Sequence, residues 1–133
     1  MHALASYDYA IVRVVPHVER GEFLNVGVIL FCRTRRFLHT RIALDVPRLS
    51  VFAPYLDIDE VKYHLDLLVL VSTGGKEAGP IGQLSQSERF HWLVSPRSTI
   101  IQTSPMHSGL CSDPEKTLQT LMEEMIHTPS VGA

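Results

Sequence analysis

Residues 7–44 read YDYAIVRVVPHVERGEFLNVGVILFCRTRRFLHTRIAL and contain three β-rich runs in succession. Side chains along residues 7–15 alternate between the two faces of an extended chain, and the proline that follows ends the run because it cannot donate to a ladder. Residues 26–32, VGVILFC, are apolar on both faces, which is typical of a central strand that is covered on both sides. A short polar break at 33–36 precedes the third run at 37–44, so we predict a hairpin with a basic tip.

The next segments predict a turn and then a helix. Residues 45–55 hold two prolines and predict a turn with room for one helical turn. Asp57 is a good N-cap, and Glu60 follows three residues later as in a capping box. A helical stripe of apolar residues follows, formed by Ile58, Val61, Leu65 and Leu68. The glycine-rich residues 73–82 then predict a loop.

Three further elements are expected towards the end of the chain. Ser85 and Glu88 predict a capped second helix that ends near Leu93. Residues 98–104, STIIQTS, predict a fourth strand that a proline ends. Residues 113–115, Asp-Pro-Glu, predict the start of a last helix, because aspartate is a good N-cap and proline suits the first helical position.

The predicted order is therefore β-β-β-α-α-β-α within a single domain spanning residues 1–133. Clustered strands followed by helices indicate an α+β fold, with an antiparallel or mixed sheet of about four strands and helices packed on it. A chain of this length is long enough for one hydrophobic core without disulfides or metals.

Net charge, cysteine content and the length of apolar runs limit the classes of function that fit this chain. The formal net charge is -2, so no overall positive field favours nucleic acid, although a local basic patch is compatible with it. The two cysteines indicate a reducing compartment, and we expect a cytoplasmic protein without a signal peptide. The longest apolar run is too short to span a membrane.

Two stretches resemble a known family. They are YDYAIVRVVPHVERGEFLNVGVILFC (7–32) and RFHWLVSPRSTIIQTSPMHSGL (89–110), with the motifs E-x-x-N-x-G and P-R-S-T-I-I-Q-x-S-P-x-H-x-G-L. The combination resembles the bacterial family called domain of unknown function 3037. Members of that family are often encoded beside a HipA-like kinase, so the resemblance implies a kinase of this kind as a protein partner.

The first candidate site is a polar cluster around the fourth strand. Arg97, Ser98, Gln102, Ser104 and His107 predict a pocket for an anionic or amide-bearing ligand, with the arginine as the anion-binding fork. The alternative is a solvated sheet face whose turn residues bind only the backbone.

The second candidate site is the basic hairpin tip. Arg33, Arg35 and Arg36 predict contacts with the phosphates of a nucleic acid. The alternative is a charged tip that protects a sheet edge from other chains.

Two other groups of residues give weaker indications of a functional site. Glu19, Arg20, Glu22 and Asn25 precede the central strand and include paired carboxylates, which suit metal binding or acid/base chemistry. A charged loop is the favoured explanation of these residues. His107 and Cys111 have H-x-x-x-C spacing, but no second ligand pair completes a zinc site. We therefore expect no metal and no cofactor.

Three functional hypotheses remain open from the sequence. The favoured one is a non-catalytic accessory or partner-binding domain that acts with a HipA-like kinase. The second is a small enzyme or nucleotide-acting protein that uses the pocket from Arg97 to His107. The third is a nucleic-acid-binding accessory that uses the arginine hairpin. Each is compatible with a homo-oligomer.

Overall fold

The computed structural model describes residues 3–96 and 100–127. Within these residues the strands are β1 (Ala5–Val14), β2 (Leu24–Cys32), β3 (Phe37–Ile42), β4 (Ile101–Thr103) and β5 (His107–Cys111). The α-helices are α1 (Val46–Phe52), α2 (Ile58–Thr73), α3 (Gln86–Val94) and α4 (Pro114–Met125). Two 3₁₀ segments, Val18–Arg20 and Lys76–Gln83, lie between them.

The strands form one antiparallel sheet in the order β3-β2-β1-β4, and β5 also pairs with β1. The predicted α+β class is confirmed, and of the two predicted sheet types, antiparallel or mixed, the structure has the antiparallel one. The described residues contain five strands rather than about four, because the prediction missed β5 and treated its residues as a turn. That segment, HSGLC, contains a glycine and a serine and has no strong alternation of apolar and polar residues.

β4 and β5 lie end to end along the same side of β1. Their pairings with β1 are separated by a bulge, in which Ala10 and Ile11 lie opposite the three residues 104–106. Pro105 has no amide hydrogen to contribute there. Instead, the Ser104 hydroxyl accepts from the Ile11 amide at 2.8 Å, and the Ser104 amide donates to the Ile11 carbonyl at 2.8 Å. The bulge therefore ends one ladder and starts another without leaving the Ile11 backbone unpaired.

Helices cover the two faces of the sheet unequally. One face, with Val12 and Ile29 buried in it, packs against the first three α-helices. The other face, with Val28 and Leu30 buried in it, packs against Leu118 and its neighbours on α4. Because α4 lies over β2 and β3, β5 makes its main contacts with β1 alone.

The predicted helix starts are confirmed by their hydrogen bonds. The Asp57 carboxylate accepts from the amides of residues 59 and 60 at the start of α2. Ser85 and Glu88 form the capping box of α3. Asp113 accepts from the amides of residues 115 and 116 at the start of α4. α1 is longer than the single helical turn expected at 45–55, and Asp45 caps it.

Candidate functional site

β5 is the edge strand that the fold leaves open. In an antiparallel ladder the backbone groups of successive residues point alternately towards and away from the neighbouring strand. Ile11 bonds towards the β4 and β5 side, so the paired odd-numbered residues of β1 also face β5. Ser108 and Leu110 therefore direct their amides and carbonyls away from β1, and no backbone hydrogen bond from another described segment reaches them.

The opposite edge of the sheet is closed by a helix. The Thr40 amide of β3 donates to the Ser72 hydroxyl of α2 at 3.1 Å, and α2 packs along this strand. Gln86 of α3 also donates to the Arg36 carbonyl just before β3. The two edges of the sheet therefore differ in their access to another chain.

β5 is also accessible on both faces. His107 and Ser108 are exposed, and the Leu110 side chain is 66% exposed although it is a large apolar group. A chain that paired with this edge would cover apolar surface as well as satisfy backbone groups.

On the α3 side, a cavity of 320 Å³ lies beside β5. Phe31 and Phe90, whose ring centroids are 5.1 Å apart, form its buried apolar part. Its polar lining comes from Ser6, Asp8, Arg33, Ser87 and His91, and Met106 completes the wall. The cavity can therefore hold a side chain with an apolar stem and a polar head.

Asp8 is the acidic residue that lines this cavity, and it pairs with Ser108 of β5. The Ser108 hydroxyl donates to an Asp8 carboxylate oxygen at 2.5 Å, across the β1–β5 pair. In the described part of the chain no lysine, arginine or histidine nitrogen lies within ion-pair distance of this carboxylate. Within the described residues its negative charge is therefore not neutralised by an ion pair.

On the α4 side, aromatic rings lie over β1 and β5. The Tyr9 and His107 rings stack with centroids 5.3 Å apart, and the Tyr7 and Tyr9 rings stack at 6.1 Å. The Tyr7 hydroxyl would lie only 2.6 Å from a Cβ added to Gly109, so this position accepts a glycine alone without displacing the ring. Burial raises the pKa of Tyr7, and the adjacent Tyr9 raises it further.

The described residues of the predicted polar pocket lie at different points along this edge of the sheet. Arg97 and Ser98 lie outside the described residues. Gln102 pairs with Arg13 of β1 and borders a cavity of 420 Å³ at the sheet edge, which Ser104 also lines. His107 pairs with Tyr9, which lies four residues before Arg13 on β1. The two pairing points are therefore about 13 Å apart along the strand. Gln102 and His107 can therefore contact one extended ligand but not one small group.

Ser104 has a structural role in the fold. It is 5% exposed, and its hydroxyl accepts from Ile11 and donates to the Pro105 carbonyl. Both hydrogen-bonding functions of this side chain are used at the bulge.

The predicted arginine cluster diverges at the hairpin tip. Arg35 donates to the Ala3 carbonyl, whereas Arg33 lines the cavity beside α3. Arg36 adopts a positive φ of 51° in the turn. Arg33 and Arg35 therefore contact different parts of the protein.

Asn25 borders a different cavity, of 660 Å³, between the start of β2 and the end of α4. Its amide nitrogen is 3.4 Å from the Met125 carbonyl, and its buried Oδ1 has no hydrogen-bond partner among the described residues. Arg13 lies opposite Asn25 on β1, with its guanidinium 3.9 Å from the centre of the Phe23 ring. These residues form a second polar region, on the α4 side of the sheet.

The described residues contain no group of three His, Cys, Asp or Glu side chains that could hold a metal ion. Within the same residues, no helix is long and apolar enough to cross a membrane. Cys32 and Cys111 are both buried, and burial raises the pKa of the Cys111 thiol.

The sequence interpretation missed Asp8, Ser108 and Leu110. Asp8 and Ser108 are separated by 100 positions and become neighbours only when β5 pairs with β1. The residues HSGL, the last four of the second quoted stretch, carry no local pattern that marks this site, because the exposure of Leu110 follows from the fold.

These features define a small α+β domain with one helix-covered and one open sheet edge. A comparison with protein families matches residues 9–126 to the family described as Protein of unknown function (DUF3037). The match covers nearly the whole chain, so the chain belongs to this family, and the resemblance noted from its motifs is confirmed. No curated protein and no solved structure matches the chain.

Proposed function

We propose that this protein is a non-catalytic, partner-binding domain and that its partner adds an extended strand to the outer edge of β5. The observation that carries the proposal is the outward direction of the Ser108 and Leu110 backbone groups on a strand exposed on both faces. In strand addition, main-chain hydrogen bonds provide affinity, and pockets for alternate side chains provide specificity.

The shape of this edge favours binding of one specific partner over nonspecific pairing with other chains. Short edge strands, prolines and bulges are devices that limit unwanted pairing. The bulge with Pro105 restricts an added strand to the five residues of β5. The cavity beside Asp8 then supplies a pocket on one face, and the Tyr9–His107 stack supplies a surface on the other.

A HipA-like kinase is the partner that we propose, because the family resemblance implies such a kinase as a neighbour. The accessory domain would then bind an extended segment of the kinase and take no part in its chemistry. We expect the purified kinase and this protein to form a stable complex.

The test is a proline substitution at the edge. Leu110→Pro removes an amide hydrogen that points away from β1, and the preceding Gly109 tolerates the proline. We expect affinity for the purified HipA-like kinase, measured by biolayer interferometry, to fall roughly tenfold or more through the lost hydrogen bond and the steric block.

Leu110→Thr is the matched control, because it shortens the same exposed side chain and keeps the amide. We expect the affinity of this variant for the kinase to stay within roughly threefold of the wild-type value. Similar thermal unfolding of both variants would show that the fold is intact. Wild-type affinity in Leu110→Pro would exclude docking at this edge, and no complex with the unmodified protein would exclude the kinase as partner.

A further inference from the structure

We infer that the partner strand carries an arginine or lysine opposite Ser108 and that Asp8 binds its charged head. This inference rests on the proposed docking at β5 and adds the chemistry by which the edge selects its partner. It concerns the side of β5 that faces the cavity next to α3.

The pairing geometry fixes which partner residue enters this region. The added strand is taken to be antiparallel, like the rest of the sheet, so the partner residue opposite Ser108 exchanges both outward hydrogen bonds with it. Residues that pair directly in a sheet project their side chains from the same face. The partner side chain opposite Ser108 therefore lies on the side of the sheet that carries Asp8.

The distance favours a long side chain. Asp8 and the added strand lie on opposite sides of β5, so their backbones are separated by two strand spacings, about 10 Å. The Asp8 carboxylate shortens this gap, because it lies 2.5 Å from the hydroxyl of Ser108, the residue that pairs with it on β5. An arginine or lysine can span the remainder and rest its methylene groups on Met106, which lines the same cavity and is 51% exposed.

The arrangement of charges favours a basic group over an acidic one. Arg33 and His91 also line the cavity, but Arg33 directly follows β2, on the far side of β1 from β5, and His91 lies on α3. A side chain that enters from the β5 edge meets Asp8 first. An acidic side chain would have to pass this carboxylate to reach either cation.

The test uses a random peptide library displayed on phage, so that the selection itself reports the preferred residue. Peptides are selected on the immobilised wild-type protein, and those that still bind Leu110→Pro are discarded. We expect the remaining peptides to favour β-branched residues and to carry arginine or lysine at one fixed position. The same selection on Asp8→Lys is expected to replace this preference with glutamate or aspartate.

Two further variants distinguish the effect of the Asp8 charge from the effect of its hydrogen bond with Ser108 and from a general loss of surface charge. Asp8→Asn keeps an acceptor for Ser108 and removes the charge, so selected basic peptides should bind it roughly threefold to fivefold more weakly, as for an exposed ion pair. Asp66→Asn removes the same charge from the exposed surface of α2 and should leave their affinity unchanged.

The outcomes distinguish this inference from the proposed function. Peptides that need the Leu110 amide but show the same composition on wild-type and Asp8→Lys protein would overturn the role of Asp8 and leave docking at β5 in place. A selection in which no peptide discriminates against Leu110→Pro would overturn both. An acidic preference on the wild-type protein would also overturn the inference, and would assign recognition to Arg33 or His91.

Discussion

Arg89 stabilises the C-terminal end of α2 from its position on α3. Its guanidinium donates to the carbonyls of Val71, Ser72 and Leu84 at distances between 2.7 and 3.0 Å, and the residue is only 8% exposed. Carbonyls at the end of a helix lack partners within the helix, and a cation there also interacts favourably with the helix dipole. A buried charge in this protein thus has a structural explanation and needs no catalytic one.

His39 provides a prediction about pH at the scale of one residue. Burial lowers its pKa from the ordinary value of 6.5, and the adjacent Arg41 lowers it further. The unfolded chain therefore takes up this proton before the folded protein as the pH falls. The contribution to stability is present above pH 6.5 and is lost progressively below it.

We expect His39→Gln to weaken the loss of stability on acidification below pH 6.5, as measured by urea unfolding at a series of pH values. His64→Gln, on the surface of α2, is the control for the loss of an imidazole. An unchanged pH profile in His39→Gln would show that other groups cause the acid sensitivity.

At the scale of elements, α4 closes the core on its side of the sheet. Leu121 is 6% exposed and belongs to the apolar cluster that α4 forms with β2. Leu121→Ala should lower the free energy of unfolding by about 2–5 kcal/mol, because it removes buried methyl groups and leaves a cavity. Chemical denaturation measures this loss.

The control on the same helix is Gln119→Ala, an exposed position that should change stability by no more than about 0.5 kcal/mol. A comparably small effect of Leu121→Ala would mean that α4 is peripheral to the core.

Elements with strong local signals were predictable from the sequence, and β5 was not. The N-caps Asp57, Ser85 and Asp113 mark helix starts through short-range hydrogen bonds that local spacing reveals. The strand β5 depends on pairing with β1, about a hundred residues away, and its Gly109 gives no local preference for a strand. Its position is set by tertiary structure.

The arrangement of the candidate site also depends on tertiary structure. Gln102 and His107 were identified as polar residues near one another in sequence, and the register places them at separate points along β1. Asp8 was part of an apolar-rich run that indicated a strand and no function. The binding role that we propose for it depends on Ser108, which lies next to it only in the folded sheet.

At the scale of the whole molecule, the divergence of the hairpin arginines makes a prediction about nucleic acid. A net charge of -2 provides no overall attraction to phosphates, and Arg35 is directed to the Ala3 carbonyl. We expect no binding to single-stranded DNA in a fluorescence anisotropy titration at an ionic strength of about 0.15 M.

The triple variant with Arg33, Arg35 and Arg36 changed to alanine tests the same point. Binding by the wild-type protein that weakens steeply with added salt and disappears in this variant would contradict the expectation. It would establish the hairpin as a phosphate-binding surface.

The unequal edges of the sheet also determine what kinds of assembly the protein can build. A filament of stacked sheets requires two accessible edges on every subunit, so that each copy can accept one neighbour and offer itself to the next. Among the described residues, α2 covers β3 through Ser72, and β5 presents outward backbone groups at the other edge. Under the proposed docking, pairing through β5 would therefore add a single chain, as a one-to-one heterocomplex or a closed two-fold dimer, and would give no repeating stack of sheets.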